Sequence, residues 1–518
     1  MKYFVSSTVR AAALALLLAG SAGCDLLNQT SPQDFNPDDV FSSPSRVEKA
    51  AVGMYDALQD GDFLGSFALI YSDIRSDDVD LPAGFQNIAN STLSAGDGNA
   101  LGAWIGGYRS MYMANYMLRE LTRRNGAGLP AEKSSQYLAE AKFVRALCHF
   151  TLVNLFAHPY NYTADGSHLG IPIQLEAPDG TEAYLPSQQK SRATVKQVYD
   201  QIIQDLTEAI PALPESQGAG TDNVGRATKD AARGLLSRVY LYKRDYTNAA
   251  RLAKDVIDAG QRQLNSTALA AFRVRAGEER SFDGDTESIF FIAMSQNDNP
   301  NTNAAIGQFY APGTSITVTP YAKALPGPVV TVQGPNFGMP TTIGSTAANT
   351  DRRRLDLLIF RTSKWWTRKY TGDLASGNPG GSNRGAWIPI VRYPEVLLNR
   401  AEALARTTGV TQEAVDLLNQ VRDRSKPTSA PSYTMASFAN AQALADAILT
   451  ERRFELAFEG HRLYDLFRNG LDVPAHGITP GSTTPQVPAL GWRENRSIFP
   501  IPANELQRNP NLIQNEGY

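Results

Sequence analysis

The chain has 518 residues, 42% of them hydrophobic and 19% charged, so it can bury a large core and is not disordered as a whole. A formal net charge of −3 offers no basic field for a nucleic-acid backbone. Two cysteines, Cys24 and Cys148, exclude a disulfide framework and any cysteine-rich metal site, and the five histidines form no H-E-x-x-H pair.

The first 23 residues read as an export signal. Lys2 and Arg10 supply positive charge, residues 11–20 (AAALALLLAG) form a short apolar core, and Ser21-Ala22-Gly23 lead into Cys24. A permanent membrane helix needs about 20 apolar residues, and no later segment is long and apolar enough. The small-small-Cys ending resembles a bacterial lipobox, which implies cleavage after Gly23 and lipidation of Cys24, although Ser21 stands where Leu is usual. Residues 24–44 are polar and Pro-punctuated and read as a tether.

Helical periodicity governs residues 45–260. The spacing predicts helices over 45–58 with Ser45 as N-cap, over 104–121, over 134–156, and over 194–210 before Pro211. Residues 227–259 read as a helical hairpin turning at Arg244-Asp245, with Ala249 and Ala250 where the helices approach closely. That pattern resembles a tetratricopeptide unit and returns over 393–424. Between the two units, 261–387 reads as an inserted lobe. It is loop-rich, carries Phe309, Tyr310, Tyr321 and Phe337, and has short strands expected at 288–293 and 365–370. Residues 388–470 resume the scaffold, and 471–518 form a closing segment. The fold class is therefore mainly α, a tetratricopeptide-like scaffold with a large inserted lobe holding a few short strands. Loops of such length in a compact domain usually carry function.

Four passages in order resemble the SusD/RagB family of outer-membrane nutrient-binding lipoproteins. They are Cys24-Asp25-Leu26-Leu27 with the helix ending Met54-Tyr55-Asp56-Ala57-Leu58, then IPIVRYPEVLLNRAEALA (388–405), LTERRFELAFEGHRLYDLFR (449–468) and FPIPANELQRNPNLIQNEGY (499–518). The resemblance covers the mature chain. It implies a non-catalytic, lipid-anchored protein on the outer-membrane surface that captures oligosaccharide for a TonB-dependent, SusC-like barrel, over which family members sit as a lid. It implies no cofactor. A peptide ligand, as in the RagB branch, is one alternative. A secreted glycoside hydrolase is another, since linear spacing cannot test for a carboxylate pair.

In 451–468, Phe454, Ala457, Phe458, Tyr464 and Phe467 are expected to line a buried stripe. Glu455, Glu459, Arg462, Asp465 and Arg468 are expected to form solvated ion pairs on a surface helix. No G-x-S-x-G elbow, Walker A loop or dinucleotide fingerprint occurs. The acidic run Asp73, Asp77, Asp78 and Asp80 does not match the spacing of a calcium loop and reads as a hydrogen-bonding cluster for a neutral sugar or for loop backbone.

A sugar site needs aromatic platforms for C–H faces and planar polar groups for hydroxyls. The expected platforms are Trp104, Tyr310, Trp365 and Trp366, with Tyr71 and Phe337 behind them and Asp73 and Arg75 as polar partners. A Trp at helical spacing suits a core equally well. Strand alternation would turn one of Trp365 and Trp366 outward. In glycan-bound family members the platform is built from aromatics of the early helical region and of the inserted lobe. Neither a catalytic residue nor a metal ligand is expected.

Overall fold

A computed structural model describes residues 37–218, 220–272, 285–301, 303–327, 347–361, 364–371, 384–478 and 484–518. The export signal, Cys24 and Phe337 lie outside the described residues.

The chain enters through α1 (Pro44–Asp56), which starts one residue earlier than the sequence suggests because Pro44, with its fixed φ and missing N–H, opens the first turn and leaves Ser43 as N-cap. α2 (Phe67–Ile74) follows, then α3 (Gly98–Arg123). The Asp97 side chain accepts from Asn99 N–H and so extends α3 by nearly two turns beyond the expected 104–121. α4 (Ala131–Phe156) packs antiparallel on α3. A Cβ on Gly107 would stand 2.6 Å from Leu152, so the absence of a side chain there lets the two helices close. α5 (Val195–Ala209) has a full capping box at Thr194 and Gln197.

α6 (Lys229–Lys243) and α7 (Tyr246–Asp258) form the anticipated hairpin. Arg244 turns the corner at φ 63°, and Asp245 caps α7 through Asn248 N–H. The second repeat consists of α8 (Tyr393–Thr407) and α9 (Gln412–Asp423). It lies directly on the first, because α7 packs against α8 and α8 against α10 (Ala441–Glu455). More than a hundred intervening residues thus leave the repeat stack unbroken in space.

Two strands show how. β1 (Ser288–Ile292) pairs antiparallel with β4 (Ile388–Arg392), so the chain leaves for the lobe and returns from it side by side. Within the lobe, β2 (Leu358–Arg361) and β3 (Lys364–Thr367) make a hairpin with Phe360 opposite Trp365 and Ile359 opposite Trp366. α11 (Arg462–Arg468) and a small pair, β5 (His476–Ile478) and β6 (Pro485–Val487), complete the path to the C-terminus. One main core runs from Phe41 to Leu512 through scaffold and lobe alike. Cys148 is fully buried in it, and burial pushes its thiol pKa up, as befits a small core residue.

The 451–468 passage differs from the expectation of a solvated surface helix. The apolar stripe is there, with Phe454, Ala457, Phe458 and Phe467 buried and Tyr464 half-buried. The charged residues are buried too, apart from half-buried Arg453 and Arg462. Arg392 Nη2 stands 2.6 Å and Nε 2.8 Å from the two Glu459 oxygens, and Nη1 also binds Glu287. Arg424 spans Glu287 at 2.7 Å and Glu455 at 2.6 Å. Lys369 reaches from the lobe to Glu459 at 2.5 Å and to the Glu455 and Ala457 carbonyls. Burial alone would raise the Glu455 pKa, but Arg424, Arg392 and Arg353 hold its carboxyl well below the usual range. Only Asp465–Arg468 is the expected local pair, at 2.7 Å. The sequence spacing of three and four is real, but Glu455 and Glu459 point into a joint between scaffold and lobe, while Asp465 and Arg468 pair inside the scaffold with Arg452 and Glu402.

Candidate ligand-binding site

The structure brings several sequence-selected residues together, inside the molecule. Asp73, at the end of α2, is 2% exposed. Its carboxylate accepts from the Tyr310 hydroxyl at 2.7 Å and from the Gly460 N–H at 3.0 Å. Gly460 holds φ 76°, a backbone shape that suits glycine. Burial pushes the Asp73 pKa up to about 7, against the pull of those two hydrogen bonds. Tyr310 is fully buried. Arg75 donates to the Ser497 carbonyl and lies 5.3 Å above the Phe499 ring.

Trp365 and Trp366 are 2% and 3% exposed, so the expected alternation fails. Trp365 packs on Phe360 at 4.9 Å between ring centres, and its carbonyl accepts from Val318 N–H. Trp366 Nε1 points at the Thr314 carbonyl at 3.5 Å, so the 314–318 segment covers the hairpin. Asp73 and Tyr310 tie scaffold to lobe, Arg75 ties α2 to the C-terminal segment, and the two tryptophans pack within the lobe. All five are buried and present no face for stacking, which corrects their reading as ligand contacts. The acidic run is likewise internal. Asp77 pairs with Arg462 at 2.7 Å, Asp78 with Arg453 at 2.6 Å, and Asp80 accepts from Thr317 Oγ1 at 2.6 Å. Among the described residues no group of three or more His, Cys, Asp or Glu is placed to hold a metal.

A different aromatic group occupies the seam where the early helices meet the lobe. Phe67 opens α2, Phe85 lies in the loop after it, and Phe309 comes from the lobe. Their rings form a triangle, with centres 5.2 Å apart for Phe67–Phe309, 5.6 Å for Phe85–Phe309 and 5.9 Å for Phe67–Phe85. Phe67 and Phe309 are half-buried, whereas Phe85 is almost closed. Phe67 also stacks on Tyr71, 5.4 Å away and 6° from parallel, and the Tyr71 hydroxyl donates to Asn99 Oδ1 at 3.2 Å. Polar groups edge this cluster. The Asn87 amide donates to Asp97 at 2.6 Å. The exposed Asp62 carboxylate makes no ion pair among the described residues, and partial loss of hydration, with the nearby Asp60 charge, raises its pKa. Gln308 Nε2, beside Phe309, is buried with no hydrogen-bond partner among the described residues. Sequence reasoning passed over these phenylalanines because Phe is the commonest core aromatic and nothing local marks Phe67 or Phe309 as half-open. The signal available was regional, an early-helix aromatic and a lobe aromatic in the two places the family resemblance indicates.

Trp104 stands elsewhere. It is 4% exposed but borders an open cleft of about 400 Å³, along which Tyr108 and Tyr112 continue the same side of α3. Trp104 and Tyr108 have ring centres 4.9 Å apart.

The architecture, a helical repeat scaffold with a lobe on a two-stranded stem, defines a SusD-type fold, and the comparisons agree. Residues 25–241 match the family model described as starch-binding associating with outer membrane, and residues 356–518 match the SusD family model. The chain belongs to the SusD/RagB family. A SusD-like protein of Formosa agariphila is 26% identical to it, the alignment covering 97% of this chain and 98% of that one. The solved structure of a SusD superfamily protein from Bacteroides vulgatus superimposes with a TM-score of 0.74 at 26% identity, over 92% of this chain and 99% of that one. One from Bacteroides fragilis gives 0.72 at 27%, over 92% and 100%. Among the described residues no helix is long and apolar enough to cross a membrane.

Proposed function

We propose that this chain is a non-catalytic binding protein that captures a neutral oligosaccharide at the seam and passes it to a TonB-dependent outer-membrane barrel. The observation that carries the reading is the Phe67–Phe85–Phe309 triangle, two of whose rings are half-open beside amide and carboxylate groups. Aromatic faces suit the apolar side of a pyranose, and Asp62, Asn87 and Asn99 suit its hydroxyls. An unpaired Asp62 favours an uncharged ligand over an acidic one. Family membership supports a binding role, and one matched model is itself described as starch-binding. The barrel partner and the lipid anchor at Cys24 rest on the family resemblance alone.

The test is calorimetric titration of the full chain with neutral gluco-, manno- and xylo-oligosaccharides. Binding of at least one series, lost in Phe309→Ala with an unchanged melting temperature, is the expected result. Binding of peptides only, or release of reducing sugar by the purified protein, would overturn it. Gentle detergent extraction from native membranes should co-purify a large barrel. Cys24→Ala should abolish labelling by a fatty-acid analogue.

A further inference from the structure

The cleft along α3 shares no residue with the seam. Three aromatic side chains, Trp104, Tyr108 and Tyr112, follow one another at four-residue steps on its helical wall. Such a step advances about 6 Å along the helix axis, a spacing that suits successive pyranose units. The opposite wall is supplied by the loop holding Pro172 and Pro178 and by the C-terminal segment holding Asn509 and Leu512. Both walls are pinned. The Tyr108 hydroxyl donates to the Pro172 carbonyl at 2.8 Å, and the Asn509 amide donates to the Lys190 carbonyl at 2.9 Å. The cleft is therefore preformed, and its volume of about 400 Å³ falls within the range of small-molecule sites.

Its charge differs from that of the seam. Arg109 lies on the same helical wall, is exposed, and makes no hydrogen bond or ion pair among the described residues. Asp56 feels its charge but forms no ion pair with it. The other cation of the cleft, Lys190, is held only loosely, 3.9 Å from Glu176. Among the described residues the acid that lines the cleft, Glu505, already has a partner 3.6 Å away in Arg508. A guanidinium fork with no partner among the described residues, beside a row of aromatic rings, matches a carboxylate carried on a sugar ring.

We propose that this cleft is a second carbohydrate site, that it takes an acidic sugar, and that Arg109 binds the uronate carboxylate while Tyr108 and Tyr112 pack against the ring faces. The inference stands apart from the seam reading, since either surface can fail without the other. The probe is tetragalacturonate, compared with its fully methyl-esterified and hence uncharged form, titrated calorimetrically into the full chain. Wild type should bind the acid at least tenfold more tightly than the ester. Arg109→Ala should erase that preference, and its exposed, unpaired side chain makes a folding defect unexpected. Phe309→Ala should leave the preference intact. Equal binding of the two forms, no binding of tetragalacturonate, or a preference that survives Arg109→Ala would overturn the proposal.

Discussion

At the joint, Arg392, Glu287, Glu455 and Glu459 are each no more than 6% exposed, and every one of them sits within 2.8 Å of an opposite charge. At the seam, Asp62 is exposed without an ionic partner among the described residues, and Phe67 and Phe309 are half-open. Both regions lie between scaffold and lobe. At the joint, polar groups have been taken out of water and can be afforded only because each meets its counter-charge. At the seam, polar and aromatic groups keep capacity unspent, which is what a ligand needs. The passage that identifies the family, 449–468, therefore belongs to internal structure, and the residues proposed to bind lie where the sequence carries no fixed motif.

Breaking the joint should have the largest effect. Arg392→Met strips Glu459 and Glu287 of a buried partner, and removing one member of such a pair costs about 3–5 kcal/mol. Urea unfolding should show that loss. A loss below about 1 kcal/mol would mean the joint is hydrated, and the contrast with the seam would collapse.

Phe309→Ala should separate the regions in the opposite sense. Glycan affinity should fall by about tenfold to a hundredfold, roughly 1–3 kcal/mol, by analogy with truncated binding hot spots. A melting temperature lowered with affinity intact would return Phe309 to the core.

A titration sharpens the same comparison. Burial raises the Asp73 pKa to about 7, above its unfolded value of 3.8. The folded state then holds a proton that the unfolded state has released, so stability contributed at Asp73 is full below pH 4 and is lost as pH rises to 7. Buried His149 and His461 and half-buried His158 act with the opposite sign. Burial lowers their pKa values to about 3, 4 and 4, so they cost stability as pH falls below 6.5. The wild-type profile mixes both trends. The difference between wild type and Asp73→Asn isolates the first, and it should favour wild type progressively less from pH 4 to 7. A pH-independent difference would show that Asp73 is hydrated.

The smallest effect is expected on the outer face of α7. Lys254 stands 2.5 Å from Asp258, but both side chains are at least half-exposed. Lys254→Ala should cost no more than about 0.5 kcal/mol by urea unfolding, close to the error of the measurement. A larger loss would remove the distinction between buried and solvated pairs.

Much of the fold was legible in the sequence because local rules set it. The α6–α7 hairpin, its Arg244-Asp245 corner and the helix expected over 194–210 follow from periodicity and turn chemistry alone. The site was less legible, because its geometry depends on partners far apart in the chain. Asp73 meets Tyr310 across 237 residues, and the 314–318 segment covers Trp366. Periodicity reports which face of an element is apolar, and cannot report what comes to lie on it. Trp104 and Asp73 both suit a sugar site by residue type, but only packing separates a ring that lines a cleft from a carboxylate that ties scaffold to lobe.

Hydrogen–deuterium exchange of the full chain, with and without a saturating neutral oligosaccharide, tests the central claim most directly. The account predicts new protection at residues 60–67, 85–99 and 303–310, and none across 449–468, which is already closed. Protection confined to 449–468, or the absence of any change at the seam while ligand is bound, would contradict it.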